Sequence, residues 1–305
     1  MVICVIGGDG FIGRRVVRLL AAEGHEVVSL DVSALSSFAD LGKQVRVARM
    51  DLSNFEDVIA AVSMYKPDAI ISLSYLRNDL PRQAFRLNIL GMDNCFEVAR
   101  LCDVEHVVYS SSVSLNGFQS SYGQVKIKET DPPAPMNQYG VHKVFNEWQA
   151  LEYSEKHGMT ITGIRPPYVS GTGKLTGMVD HVECIVKPAL GQKVSLTYSD
   201  TMRCLIHVDD VAEVFARVAL VKKPRHAIYN TGGENLSLDD IASMVRNVIP
   251  DAEIDLRFEC GNEDRTGAYM FDNSRLLTEF GLRYMPFQQR VAQMIESVRR
   301  EAAAA

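Results

Sequence analysis

The sequence has no long hydrophobic run. None of its apolar stretches approaches the roughly 20 residues that a helix needs to cross a bilayer, so we expect no membrane as a partner. The apolar run Val2–Ile6 is short, no basic residues precede it and no small-residue cleavage site follows it, unlike a signal peptide. The sequence therefore predicts a cytoplasmic protein.

Cysteine and histidine are both scarce and scattered. None of the 6 cysteines forms a C-x-x-C pair, and the 7 histidines show no spacing typical of metal ligands. We therefore expect reduced cysteines, as in a reducing compartment, and no metal site.

An excess of positive charge is also absent. The 32 basic residues stand against 38 acidic ones, which leaves a net charge of −6. Without a basic surface we expect no nucleic acid as a partner. Hydrophobic residues make up 47% of the 305 residues, enough for a folded core in two domains or in one domain with a smaller lobe.

Short apolar segments alternate with longer amphipathic ones in the first half of the chain. The predicted strands are Val2–Ile6, Glu26–Leu30, Val45–Ala48, Ala69–Leu73, His106–Tyr109 and Thr160–Ile164. The predicted helices lie near Phe11–Glu23, Asn54–Tyr65, Pro81–Cys102 and Gln138–His157. Strands joined by helices run parallel, because the helix returns the chain to the same end of the sheet. The pattern indicates an α/β fold with a doubly wound parallel sheet.

The most specific local motif is the glycine-rich segment Gly7-Gly8-Asp9-Gly10-Phe11-Ile12-Gly13. Its glycines fit both G-x-G-x-x-G, from Gly8, and G-x-x-G-x-x-G, from Gly7. In either spacing, a turn without side chains lets the backbone approach a pyrophosphate, and the helix that follows offers its N–H groups and positive dipole end. Its place between a strand and a helix predicts a Rossmann-type dinucleotide site.

Asp31 ends the next predicted strand, 18 residues after Gly13. A carboxylate about 20 residues after such a turn binds ribose hydroxyls and repels a 2′-phosphate, so we favour NAD over NADP. Arg14-Arg15 could nevertheless accommodate that phosphate. Asp51-Leu52 follows the third strand, where it either borders the adenine pocket or makes an ordinary turn.

The regular alternation ends after Ile164, where a stretch rich in proline and glycine follows. We predict that residues 1–164 form an NAD-binding Rossmann domain, to which residues 204–222 return. Residues 165–203 and 223–305 are predicted to form a smaller C-terminal α/β lobe that binds the substrate.

Tyr139 and Lys143 lie at i and i+4 of a predicted helix, on one face. A phenol has a pKa near 10, and a neighbouring ammonium favours its ionised form, which suits an acid/base group. Three serines, Ser110–Ser112, end the predicted fifth strand, at the edge where ligands bind in open parallel sheets. A hydroxyl there could hydrogen-bond a substrate oxygen and share its proton with Tyr139.

Together these motifs resemble the extended short-chain dehydrogenase/reductases, the NAD-dependent epimerase/dehydratase family. The resemblance extends along nearly the whole chain, through further blocks at Asn88–Gly91, Arg165-Pro166, Arg203–Ala212 and Tyr229–Gly233. It implies a small-molecule substrate and hydride transfer between its secondary alcohol or ketone and the nicotinamide of NAD.

The resemblance also implies a role for each matching residue. Tyr139 is then the general acid/base, and Lys143 binds the nicotinamide ribose and lowers the pKa of the Tyr139 phenol. Ser112, five residues before Gly117, orients the reacting oxygen, and adjacent Ser111 is the second choice. The residues implied in NAD binding are Gly7, Gly10, Phe11, Ile12, Gly13, Asp31, Asp51, Leu52, Leu73, Tyr139, Lys143 and Pro166.

Two departures from the family's pattern narrow the chemistry. Val113 and Ser114 stand where the family's dehydratases carry an acidic pair, so elimination of water is disfavoured. Tyr168 stands where nucleotide-sugar enzymes carry an asparagine that contacts the substrate diphosphate. Arg203 and Arg265, in contrast, match arginines that hold such a diphosphate, or they are ordinary surface or ion-paired arginines.

Three hypotheses about function remain. The first is a sugar or sugar-derivative epimerase, and the alternative is an NAD-dependent dehydrogenase or ketoreductase acting on a secondary alcohol without a nucleotide. The third, a non-catalytic NAD-binding sensor, is disfavoured by the intact serine, tyrosine and lysine. The expected substrate-binding residues are Ser111, Ser112, Tyr168, Arg203 and Arg265.

The resemblance further implies a homodimer. The family pairs through the helices that correspond to Pro81–Cys102 and Gln138–His157, which form a four-helix bundle. Phe145, Trp148 and Leu151 would supply apolar contacts there, although the same side chains could face the sheet instead.

Overall fold

The computed structural model describes residues 1–33, 38–76, 80–199, 201–259 and 267–304. The strands are β1 (Val2–Ile6), β2 (Glu26–Asp31), β3 (Val45–Arg49), β4 (Ala69–Ser72), β5 (His106–Ser110), β6 (Ile161–Arg165), β7 (Tyr168–Ser170), β8 (Val194–Tyr198), β9 (Arg203–His207), β10 (Ile228–Asn230), β11 (Glu234–Leu236) and β12 (Ile254–Phe258). The α-helices are α1 (Gly13–Ala22), α2 (Phe55–Tyr65), α3 (Pro81–Phe85), α4 (Met92–Leu101), α5 (Gln138–His157), α6 (Asp180–Ala189), α7 (Val208–Ala219), α8 (Leu238–Arg246), α9 (Ser274–Phe280) and α10 (Phe287–Ala304).

Seven strands form one parallel sheet at the centre of the protein. Their order is β10-β6-β5-β4-β1-β2-β3, and each neighbouring pair is parallel. β4 is buried along its whole length, and β1 is buried from Ile3 onward. Strands covered on both faces appear in a sequence as continuous apolar runs. The predicted doubly wound parallel sheet is therefore confirmed.

The two faces of this sheet have separate cores, because alternate side chains of a strand point to opposite faces. Ile3 and Val5 of β1 belong to the cluster shared with α1 and α7. Cys4 and Ile6 belong to the cluster shared with α2, α4 and α5. The catalytic candidates on α5 are thus anchored to the second of these cores.

The predicted helix Pro81–Cys102 is interrupted in its middle. α3 ends at Phe85, a π-helical turn spans Arg86–Gly91, and α4 follows. The wider turn changes which side chains face inward. Asn88 within it is buried, and its amide both donates to the carbonyl and accepts from the N–H of Leu76, each at 2.9 Å. The π turn therefore fixes the loop that follows β4.

β9 and β10 lie in different sheets from those expected. β9, expected to return to the central sheet, pairs with β7 and β11 in a three-stranded sheet. β10, from a segment assigned to the lobe, occupies the edge of the central sheet beside β6. With that edge taken, β9 cannot pair with β6, and only the helix after it, α7, packs on the central layer. The division into an NAD-binding domain (residues 1–164 with 204–222) and a substrate-binding lobe (residues 165–203 with 223–305) stays a prediction. In the structure, β9 lies outside the central sheet and β10 lies within it.

The C-terminal part of the chain builds a further core of its own. α6, α8 and α10 pack together through side chains such as Ile185, Ile241 and Val291, beside the parallel pair β8 and β12. Among the described residues, no helix combines the length and the apolar character needed to cross a membrane.

We expect Gly13→Ala to destabilise the fold more than Gly24→Ala. A Cβ at Gly13 would overlap the carbonyl oxygen of Gly7, which can move only if the whole turn shifts. Gly24 has a φ of +84° and open space around it, so alanine there costs about 1–2 kcal/mol for its left-handed backbone. Urea denaturation gives both free energies of unfolding, and equal losses would contradict the close packing of the turn.

Candidate active site

The carboxyl ends of β1, β4 and β5 meet at one edge of the central sheet. β1 and β4 are neighbours in the sheet, although β2 and β3 separate them in sequence, so the chain leaves these two strands in opposite directions. Ligands of open parallel sheets bind in the crevice at such a point. Three loops border it: the glycine turn (residues 7–13), the β4 loop (residues 73–76) and the serine loop (residues 110–117).

The glycine turn is closed by backbone hydrogen bonds. Gly7 N–H donates to the carbonyl of Leu30 (2.8 Å), and Gly10 N–H donates to that of Gly7 (3.1 Å). In the described part of the chain, no side chain caps the start of α1 and no acidic residue stands in its first turn. A turn without side chains, leading into an uncapped helix start, fits the pyrophosphate of a dinucleotide.

Asp31 lies beside this turn, at the end of β2. Its carboxylate accepts hydrogen bonds from the backbone N–H groups of Asp9 (3.3 Å) and Ser33 (3.1 Å). One of the two arginines near the turn is already paired, because Arg15 binds Asp209 at 3.0 Å. The fixed carboxylate favours a ribose with free hydroxyls over one with a 2′-phosphate.

The other residues expected to contact NAD follow strands at the same edge of the sheet. Asp51 accepts hydrogen bonds from both the N–H (2.9 Å) and the hydroxyl (2.8 Å) of Ser53 and so forms a turn after β3, and its place beside the adenine stays a prediction. Leu52 is buried in the second core. Leu73 follows β4 and Pro166 follows β6, while Phe11 and Ile12 belong to the glycine turn itself.

The start of α5 packs directly on the serine loop. Asn137 caps the helix, accepting a hydrogen bond from Gly140 N–H at 2.9 Å. Gly140 is required here, since a Cβ at this position would collide with the carbonyl of Ser114. This approach brings Tyr139 and Lys143 to the end of β5.

Lys143 is buried beneath the serine loop. Its Nζ donates to the carbonyl of Ser110 at 2.5 Å and lies 5.5 Å from the ring centroid of Tyr139. Burial lowers the pKa of Lys143 to about 7, and the carboxylate of Glu147 acts in the opposite direction. An ammonium that titrates near neutrality beside a phenol is an arrangement suited to acid/base chemistry.

Tyr75 adjoins this pair, and no sequence pattern indicated it. Its ring meets that of Tyr139 edge to face at a centroid distance of 4.5 Å, and Lys143 Nζ lies 5.0 Å from its centroid. Asn88 belongs to one of the sequence blocks that resemble the family, although the sequence predicted no role for it. Its hydrogen bond with Leu76 fixes the β4 loop that carries Tyr75. No spacing rule relates a loop tyrosine to a distant helix, so only the fold reveals the contact.

The serine loop uses its hydroxyls for different contacts. Ser111 is buried, and its Oγ donates to Glu147 Oε1 at 2.5 Å. Ser112 Oγ accepts from Ser114 N–H at 3.1 Å and starts a short 3₁₀ turn. Ser112 can still donate its own proton to a reacting oxygen, whereas the proton of Ser111 is committed to Glu147.

A buried ion pair ties α5 to β6. Arg165 Nε and Nη2 donate to the two carboxylate oxygens of Glu147 at 2.7 and 2.6 Å, and the side chains are only 5% and 13% exposed. Glu147 lies one helical turn beyond Lys143, so it influences both Ser111 and the charge of the lysine. Glu147 was not among the predicted residues, although its i, i+4 spacing from Lys143 was a usable signal.

The remaining predicted substrate residues differ in their surroundings. Tyr168 borders a cavity of about 210 Å³ beside the serine loop. Arg203 is buried and paired with Asp180, and Arg265 lies outside the described residues. Where the structure describes the chain, no cluster of three or more His, Cys, Asp or Glu side chains suits a metal ion.

Known proteins resemble this chain along most of its length. A model of the NAD dependent epimerase/dehydratase family matches residues 3–232. The UDP-glucose 4-epimerase of Lacticaseibacillus casei is 28% identical over 239 residues, 70% of this chain and 70% of that protein. Cinnamoyl-CoA reductase 1 of Petunia hybrida is 23% identical over 312 residues, 97% of this chain and 92% of that protein.

A solved structure shows the same fold. The crystal structure of the Thermus thermophilus UDP-glucose 4-epimerase in complex with NAD aligns with 98% of this chain and 99% of its own, with a TM-score of 0.85. The two sequences are 24% identical, so the likeness speaks for the fold alone.

We expect Glu147→Gln to lower the free energy of unfolding by about 3–5 kcal/mol, because it leaves the Arg165 guanidinium buried without its counter-charge. Glu183→Gln is the matched control. Its ion pair with Lys187 is about 40% exposed, and such surface pairs contribute about 1 kcal/mol or less. Chemical denaturation at neutral pH measures both, and equally small losses would contradict a structural role for the buried pair.

Proposed function

The chain belongs to the NAD dependent epimerase/dehydratase family of extended short-chain dehydrogenase/reductases, and from this premise we propose that it transfers a hydride to or from a secondary hydroxyl or ketone carbon of a small molecule. The observation that carries the proposal is the position of Tyr139 and Lys143 on α5, where Lys143 lies over the Tyr139 ring and donates to the carbonyl of Ser110 at the end of β5. The family is NAD-dependent, and NAD is the cofactor.

NAD, when bound, supplies the nicotinamide ring that accepts or returns the hydride. We assign the pyrophosphate to the glycine turn and the adenosine ribose to Asp31. Tyr139 and Lys143 then border the nicotinamide ribose. The remaining proposed contacts are Phe11, Ile12, Asp51, Leu52, Leu73 and Pro166.

Tyr139 exchanges the proton of the reacting oxygen. In oxidation its ionised phenol takes the proton of the substrate hydroxyl, and in reduction the neutral phenol gives a proton to the carbonyl oxygen. The Lys143 ammonium favours the ionised phenol. The pKa of Lys143 is lowered to about 7 by burial, although the carboxylate of Glu147 favours the charged lysine and opposes that shift. The hydroxyl of Ser112 donates to the same substrate oxygen and orients it.

Two finer functions share this chemistry. The sugar or sugar-derivative epimerase is supported by the relative named as a UDP-glucose 4-epimerase. The dehydrogenase or ketoreductase is supported by Tyr168, which replaces the diphosphate-contacting asparagine, and by the reductase that aligns with 97% of the chain. An epimerase returns the hydride to its substrate, whereas a dehydrogenase accumulates NADH. Following NADH absorbance with a panel of secondary alcohols, sugars and nucleotide sugars separates the two.

We expect Tyr139→Phe to lower kcat by about 10²–10⁴-fold, the contribution typical of a general acid/base, while NAD affinity is kept. Tyr65→Phe on α2, outside the crevice, is the matched control and should leave kcat unchanged. Steady-state kinetics and NAD titration provide the measurements. A Tyr139→Phe variant with full activity would favour the non-catalytic sensor.

We also propose a homodimer. Four large apolar side chains of α5 are exposed, so they do not face the sheet, which was the alternative interpretation. Three more are exposed on the segment formed by α3, the π turn and α4. They are Val141, Phe145, Trp148 and Leu151, with Phe85, Leu90 and Leu101. The spacing of the four α5 residues places them along one side of that helix, and exposed apolar side chains grouped in this way favour association.

We expect Trp148→Glu to convert the dimer to a monomer, because a charge at a side chain 59% exposed in the free chain would be buried in the interface. Met64→Glu on α2, at a residue 72% exposed and outside this surface, is the control. Light scattering coupled to size exclusion gives the mass. A monomeric wild-type protein, or an unchanged mass for Trp148→Glu, would contradict the interface.

We propose the cytoplasm as the compartment. The described cysteines are free thiols, and burial raises the pKa of Cys4, Cys95, Cys184 and Cys204 to about 12. Protonated, buried thiols of this kind support a chain that keeps its cysteines reduced.

A further inference from the structure

The cavity beside the serine loop adjoins the proposed reacting groups. Val113, directly after Ser112, and Asn137, two residues before Tyr139, form part of its wall. Its described lining carries no charged side chain, and its volume of about 210 Å³ lies below the roughly 300–1,000 Å³ of drug-sized ligand sites. The hydrophobic side chains around it are Val113, Phe118, Met136, Pro167, Tyr168 and Ala268.

Arg203, which resembles a diphosphate-binding arginine of the family, is already paired with a carboxylate of the protein itself. Its Nη1 and Nη2 donate to the two carboxylate oxygens of Asp180, each at 2.7 Å, and only 2% of its side chain is exposed. A phosphate recognises arginine through the same pair of parallel N–H groups. A diphosphate at this guanidinium would therefore have to displace a partly buried carboxylate that already makes both hydrogen bonds.

Asp180 keeps the charge that this pairing requires. Burial by itself raises the pKa of Asp180, but hydrogen bonds from His181 and Arg203 hold it well below the usual range. The backbone N–H of His181 also donates to the carboxylate at 2.9 Å. The pair joins the start of α6 to the start of β9, so Arg203 serves the packing of the lobe.

We propose that the substrate is a compact secondary alcohol or ketone without a phosphate group, whose non-reacting end fills this cavity while its oxygen meets Ser112 and Tyr139. The inference rests on the proposed hydride transfer and adds the substrate class to it. The apolar walls accommodate the carbon skeleton, and Ser114 and Asn137 supply polar side chains.

Binding assays with NAD-loaded protein, and turnover assays with NADH added for ketones or NAD for alcohols, test the substrate class. We expect small uncharged ketones to be reduced by NADH, UDP-glucose to be left unconverted, and UDP to bind with a Kd weaker than about 1 mM in calorimetric titration. Micromolar UDP binding or turnover of UDP-glucose would overturn the substrate class and leave hydride transfer standing. Failure of every alcohol, ketone and nucleotide sugar to react, with NAD bound, would overturn the proposed function itself.

Enlarging the cavity tests where the substrate lies. Met136→Ala removes part of the wall, so we expect kcat/KM for a bulkier ketone to rise several-fold relative to a small one. Met64→Ala, an exposed methionine on α2, should leave this ratio unchanged. An unchanged ratio in Met136→Ala would contradict the cavity as the substrate site, whatever the stability of the variant.

Discussion

The close packing of α5 against the end of β5 is the constraint on which the rest of the site depends. Gly140 permits it, because any side chain there would meet the carbonyl of Ser114. Lys143 extends it by donating to Ser110, and Glu147, one turn further, binds Ser111. Successive turns of one helix thus hold the acid/base pair against the sheet, which places reacting groups more firmly than loops would.

This packing also explains why the site contains buried charges. A lysine brought under the serine loop loses hydration, and burial accordingly lowers its pKa to about 7. Glu147 opposes that loss but would itself be costly to bury alone. Arg165 neutralises it with two short hydrogen bonds. A buried ion pair thus lies next to Lys143, and its carboxylate partly opposes the effect of burial on the lysine pKa.

Most of the correct predictions came from the spacing of residues that lie close together in the chain. Continuous apolar runs separated by helices predict buried parallel strands, because both depend on residues near one another in the chain. Tyr139 and Lys143 follow from helical periodicity in the same way. The contact of Tyr75 with Tyr139, the exchange of β9 and β10 between sheets, and the π turn that directs Asn88 depend on distant segments. Which strand takes a free sheet edge is decided by competition between them, which no local pattern records.

At Arg203 the resemblance implies an arginine that binds a diphosphate, whereas the structure pairs the guanidinium with Asp180. The guanidinium offers the same two-pronged face to a phosphate or to a carboxylate, so its partner decides its role. That partner, Asp180, lies 23 positions away in the chain and belongs to no motif. Among the described residues, the arginines at positions 15, 165 and 203 each pair with a carboxylate, whereas Lys143 donates to a carbonyl. These cations are thus engaged within the protein, as the proposal of a substrate without a phosphate group requires.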